Sequence, residues 1–101
     1  MSDVEHGKGA IVSVTDTAQL IAIVPPVGTD GNQKSAMTLK LWNTGSSTVY
    51  AIVNAELTDY VEANAIPIPA GESFPFIGQP MKKLILACAS GETSTANYGA
   101  Y

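Results

Sequence analysis

His6 and Cys88 are the only imidazole and the only thiol of the chain, and they stand eighty-two positions apart. A protein zinc site takes three or four ligands, usually several of them histidine or cysteine, so one of each cannot build it within a single chain. A serine–histidine–aspartate relay would need His6 held rigidly, and His6 lies in a polar amino-terminal stretch with no pattern to hold it. The carboxylates offer more. Glu56, Asp59 and Glu62 recur at intervals of three and would share one face of a helix. A calcium site, however, asks for six to eight oxygens in a preformed shell, and the simpler reading is a solvated acidic face. Asp30-Gly31-Asn32 matches part of a calcium loop, without its acidic ladder or closing glutamate. Glycoside hydrolysis needs only a positioned carboxylate pair, yet nothing flanking Glu56, Asp59, Glu62 or Glu72 singles out two of them. No catalytic, cofactor-binding or metal-ligating residue is assigned. The expectation is a protein that is not an enzyme and carries no cofactor.

The remaining chemistry is contact chemistry. Trp42, Tyr50, Tyr60, Tyr98 and Tyr101 could stack on a sugar or anchor a protein interface, since aromatic side chains bury much area on few torsions. Trp42 and Tyr50 are expected to pair across a hairpin and cover one sheet. Tyr98 and Tyr101, at a glycine-containing chain end, are the better candidates for contact with another subunit. The chain is 46% hydrophobic and only 14% charged, well below the ~25% charge of average domains. That balance excludes disorder and leaves much neutral surface, which suits a subunit interface. Five lysines, no arginine and a net charge of −4 exclude the basic stripe that direct nucleic-acid binding needs, and disfavour anionic membranes. The amino terminus has no apolar core of a signal peptide, and no apolar run is long enough for a membrane-spanning helix. Cys88 sits in the apolar run Leu84 to Ala89, where a thiol acts as a small hydrophobe.

These residues need elements to place them. The pattern predicts one domain, an antiparallel β-sandwich or jelly-roll-like barrel of about eight short strands over residues 10–101, preceded by a flexible arm over residues 1–9. Strands are expected over residues 10–15 and 19–24, with Pro25-Pro26 ending the second. Residues 25–35 form a long loop, expected to be mobile, in which Asp30 and Asn32 are candidate contact residues. Ala36 to Trp42 alternates, with Met37, Leu39 and Leu41 on one face. Asn43 to Ser47 turns the chain, and Thr48 to Asn54 is expected to run back as the partner strand of a hairpin. Residues 56–63 fit a helix or a strand. Ile66 to Pro69 and Glu72 to Phe76 carry Pro67, Pro69 and Pro75 and are read as edge strands. Lys82 to Ala89 is the most buried strand. Thr93 to Tyr98 closes the sheet, and its lack of proline and lysine marks it as an unguarded edge available to another subunit.

Three turns carry a resemblance. Asn43-Thr44-Gly45-Ser46 leading into Val49-Tyr50, Pro69-Ala70-Gly71-Glu72-Ser73 before Phe74, and Ala87 to Gly91 before a threonine-rich strand resemble turns of small phage virion proteins. The similarity spans about residues 36–98. It implies a capsid decoration (cement) protein or related head or tail component, made in the bacterial host cytoplasm and carried on the virion. It also implies a homo-oligomer, with a trimer favoured, and a major capsid protein or other virion protein as partner. A carbohydrate- or receptor-binding module of a fibre or tail is the second reading.

Overall fold

The computed structural model describes residues 9–23 and 36–100. The strands are β1 (Gly9–Val14), β2 (Gln19–Ala22), β3 (Ala36–Asn43), β4 (Val49–Val53), β5 (Ile66–Ile68), β6 (Ser73–Met81), β7 (Lys83–Ala87) and β8 (Ser94–Ala100). They form two four-stranded sheets of order β1-β8-β3-β6 and β2-β7-β4-β5. β1 pairs with β8, β2 with β7, β3 with β6 and β4 with β5, all antiparallel. First with last, second with second-last and so inward is the nested pairing of a jelly roll. The expected all-β fold is therefore the one observed, in its jelly-roll form. Of the arm expected over residues 1–9 only Gly9 is described, as the first residue of β1; the loop expected over residues 25–35, with Asp30 and Asn32, and Tyr101 lie outside the described residues.

Side-chain alternation fills the space between the sheets. Leu39 and Leu41 of β3, Val49 and Ala51 of β4, Ile68 of β5 and Leu84 and Leu86 of β7 are essentially without exposure. Ser94, Ala96, Tyr98 and Ala100 give β8 a strict inward period of two. Cys88 belongs to the same cluster, and its thiol points at the Val14 carbonyl, 3.8 Å away. Val53 packs partly buried against it. Met37, expected beside Leu39, is half exposed, because the β3–β6 register shifts between Ala36 and Thr38.

Burial, with Glu92 and Asp16 adding repulsion, raises the Cys88 pKa above its ordinary value. A buried thiol with little thiolate is unreactive. Labelling of native Cys88 by a neutral thiol reagent is therefore expected to run on the order of a hundredfold or more slower than in denaturant. Equal rates in both would show that the thiol is not in the core.

Three features differ from the sequence reading. β3 and β4 are not a hairpin, since they lie in opposite sheets. The chain arches from one sheet to the other between them. Trp42 and Tyr50 consequently stand on the outer faces of different sheets and do not pair. β8 is no edge: β1 flanks it on one side and β3 on the other. Its neutral composition is that of an interior strand. Residues 56–63 are neither a helix nor a strand, but hold a 3-10 turn at Leu57–Asp59 and the start of another at Glu62–Asn64. The edge readings hold: β5 and β6 each end a sheet, and prolines there remove donors a neighbour would need.

A buried corner makes the arch. Asn43 follows Leu39 and Leu41 in inward phase and is 1% exposed. Its Nδ2 donates to the Ser47 and Ile68 carbonyls at 2.6 and 2.8 Å. Its Oδ1 accepts from Gly45 N at 3.1 Å and Ser94 Oγ at 2.8 Å. Its backbone N–H donates to Glu72 O, and its carbonyl accepts from Gly71 N. The turns at 43–47 and 69–72 thus meet on one residue. At the opposite end Asn54, at φ 60°, donates to Pro80 O and accepts from the Lys82 N–H, fastening the β6–β7 crossing to β4. Asparagine tolerates that left-handed conformation better than most residues.

Candidate interaction face on the β1-β8-β3-β6 sheet

The corner fixes the phase of β3. With Asn43 and Leu41 inward, Trp42 must stand on the outer face of its sheet. The registers then give a row across all four strands: Ile11 opposite Asn97, Asn97 opposite Trp42, Trp42 opposite Ser73. Beside it, Lys40 lies opposite Gly99 and Pro75, and Thr38 lies opposite Ile77. The Lys40 ammonium sits 5.1 Å from the centre of the Trp42 ring, a cation–π distance. At the end of the sheet the Thr44 and Thr95 hydroxyls are 3.0 Å apart.

Lys40 is the one charge among these outward side chains. The carboxylates among the described residues lie elsewhere: Asp16, Glu72 and Glu92 in turns at one end of the sandwich, Glu56, Asp59 and Glu62 on the β4–β5 crossing. Glu56 is paired with Lys83. The spacing of three in that crossing gathers no site, because it spans two separate turns. Among the described residues no group of three or more histidine, cysteine or acidic side chains could hold a metal ion.

Apolar side chains flank this neutral face. Ile11 is 76% exposed and Ile77 68% exposed, while Trp42 between them is half buried. Of the expected contact residues, Trp42 is therefore on a surface. Tyr98 is not: it points inward at 7% exposure and presents little area to a partner. Ile11 and Ile77 were missed by sequence reasoning. The signal for Ile77 was its phase relative to Pro75, whereas Ala10 to Val14 is apolar on both faces for most of its length and hides which side Ile11 takes.

The β4–β5 crossing holds a second unassigned feature. The Tyr60 hydroxyl is buried without a hydrogen-bond partner among the described residues. Burial first, then Glu62 and Tyr50, raise its pKa.

No family model matches the chain, and no curated protein matches it either. Solved structures do. A crystal structure of PirA matches at a TM-score of 0.52 and 11% identity, covering 100% of this chain and 96% of that one. A protein of Bacillus endospore appendages, described as disulfide-linked pili, matches at 0.49 and 14% over 93% and 83%. The capsid asymmetric unit of cyanophage Pam1 matches at 0.35 and 15% over 94% and 84%. At such identities the likeness is one of fold. The class defined is a small jelly-roll sandwich with one sheet face that carries a single charge among its outward side chains.

Proposed function

We propose that this chain is a non-enzymatic structural subunit of a virion, a capsid decoration protein that docks on the major capsid protein through the outer face of its β1-β8-β3-β6 sheet. The observation that carries the reading is the exposure of Ile11 and Ile77 on either side of Trp42, on a face whose outward side chains include one charge. Jelly rolls serve in capsids and in lectins alike, so the fold does not choose between them. The face does. Protruding isoleucines suit a protein surface, where burying apolar area contributes about 25 cal/mol per Å² before the cost of association. The resemblance of the turns to phage virion proteins points the same way. The low charge disfavours a role on nucleic acid or an anionic membrane.

One observation favours the second reading, a carbohydrate- or receptor-binding module: Asn97 stands beside Trp42, an amide next to an indole. Against it, the Lys40 ammonium lies over the ring, on a π face where a sugar would stack. Sedimentation with shells assembled from the major capsid protein, together with sugar titration of the chain's single tryptophan, separates the two. The docking reading expects the chain to travel with the shells and Trp42 emission to ignore sugars. A saturable sugar response without shell binding would replace it with the second reading.

A further inference from the structure

Four strands end the two sheets, and three of them are protected. β5 is three residues long and contains Pro67. β6 carries Pro75 and Pro80 and is bent by Gly78 at φ 97°. β2 has only four residues. Short length, proline and bulging are the devices that keep an edge from recruiting another strand. β1, Gly-Ala-Ile-Val-Ser-Val, has none of them and no charge.

Its open main-chain groups follow from its neighbours. The Thr95 carbonyl accepts from the Thr44 and Gly45 N–H groups on the β3 side. In an antiparallel ladder a residue turns its N–H and C=O the same way, and successive residues alternate. Thr95 therefore faces β3, and Ser13 opposite it faces away from β8. Gln19 Nε2 donates to that outward Ser13 carbonyl at 3.3 Å, which agrees and leaves the carbonyl's second lone pair for a partner strand. Gly9, Ile11 and Ser13 are thus the residues whose main-chain groups point off the sheet. Among the described residues no strand pairs with that side. The three are symmetric about Ile11, whose side chain is the most exposed of the large apolar ones among the described residues.

We propose that two copies of this chain pair through β1, antiparallel about a twofold axis at Ile11. Ile11 then faces the same residue of the second copy, and Gly9 faces Ser13. An edge symmetric about its centre is its own complement, as a twofold contact requires. The absence of charge on β1 lets identical strands meet without repulsion, although each chain carries a net −4. The two isoleucines stand side by side on the outer face, and the two outer faces join into one doubled platform. This inference does not depend on what that platform binds.

The Ile11 N–H points away from β8, so Ile11→Pro removes an intermolecular donor while sparing the chain's own ladder. Light scattering of the full chain at micromolar concentration is expected to give twice the 10.5 kDa subunit mass. Ile11→Pro should weaken the dimer by at least about tenfold with an unchanged circular dichroism spectrum. Ile11→Lys, which places two ammonium groups at the axis, should do the same should proline disturb folding. Ile77→Lys, at the far edge of the same face, should leave the dimer intact. A wild-type mass of one or three subunits would overturn the proposal, as would a dimer that survives Ile11→Lys. Loss of shell binding by Ile77→Lys with the dimer intact would bear on docking alone.

Discussion

Replacing Asn43 with leucine is expected to destabilise the protein by about 3–5 kcal/mol, more than any surface substitution. The side chain is nearly isosteric, so little cavity or overpacking term arises. What is lost is the pairing of the Ser47 and Ile68 carbonyls, the Ser94 hydroxyl and one bond of the Gly45 N–H. Each buried polar group left unpaired costs about 1–3 kcal/mol, and the Gly45 N–H retains Thr95 O, which lowers the sum. Domains of this size are held by about 5–15 kcal/mol, so the variant should approach the edge of folding. Thermal unfolding checks it, with an expected fall of about 15–30 °C. A fall of a few degrees would mean that the corner does not hold the two sheets together.

Gly45→Ala is the second large effect. A Cβ at Gly45 would lie 2.1 Å from Ser94 Oγ and 2.4 Å from the Thr95 backbone nitrogen. The hydroxyl could rotate away only by abandoning Asn43, and the backbone of a strand paired on both sides cannot yield. The arch must lift off β8, breaking the two bonds to the Thr95 carbonyl. A loss of about 2–4 kcal/mol is expected, far above the gain that alanine brings where it fits. Denaturant melts of Gly45→Ala and Gly45→Ser should both show it. Wild-type stability in either would show that the arch has room.

The same corner explains what the sequence could and could not disclose. Alternation in β3 and β4 placed Leu39, Leu41, Val49 and Ala51 in the core, because period two depends only on which side is dry. Pro67 and Pro75 marked edges, because a missing donor has one place in a sheet. The partner of each strand was less legible. A five-residue turn closes a hairpin or an arch equally well, and here the choice rests on Ile68 and Ser94, 25 and 51 residues from Asn43. A polar residue in the inward phase after Leu39 and Leu41 was the available signal. The absence of proline and lysine in β8 fits an unguarded edge and a central strand alike, so only the pairing distinguishes them. Trp42 was legible as a surface aromatic. The face around it was not, since it is assembled from four strands whose order the local pattern does not contain.

Docking through the outer face of the β1-β8-β3-β6 sheet is the central proposal. Co-sedimentation with shells of the major capsid protein tests it most directly, comparing wild type with Ile77→Asp, Trp42→Ala and Leu20→Asp. Leu20 is 42% exposed on the outer face of the opposite sheet, so its variant controls for any added charge. Wild type and Leu20→Asp should travel with the shells, while Ile77→Asp and Trp42→Ala stay behind, each folded by circular dichroism. Release of Leu20→Asp with retention of the other two would place docking on the wrong sheet, and free wild type would contradict docking altogether.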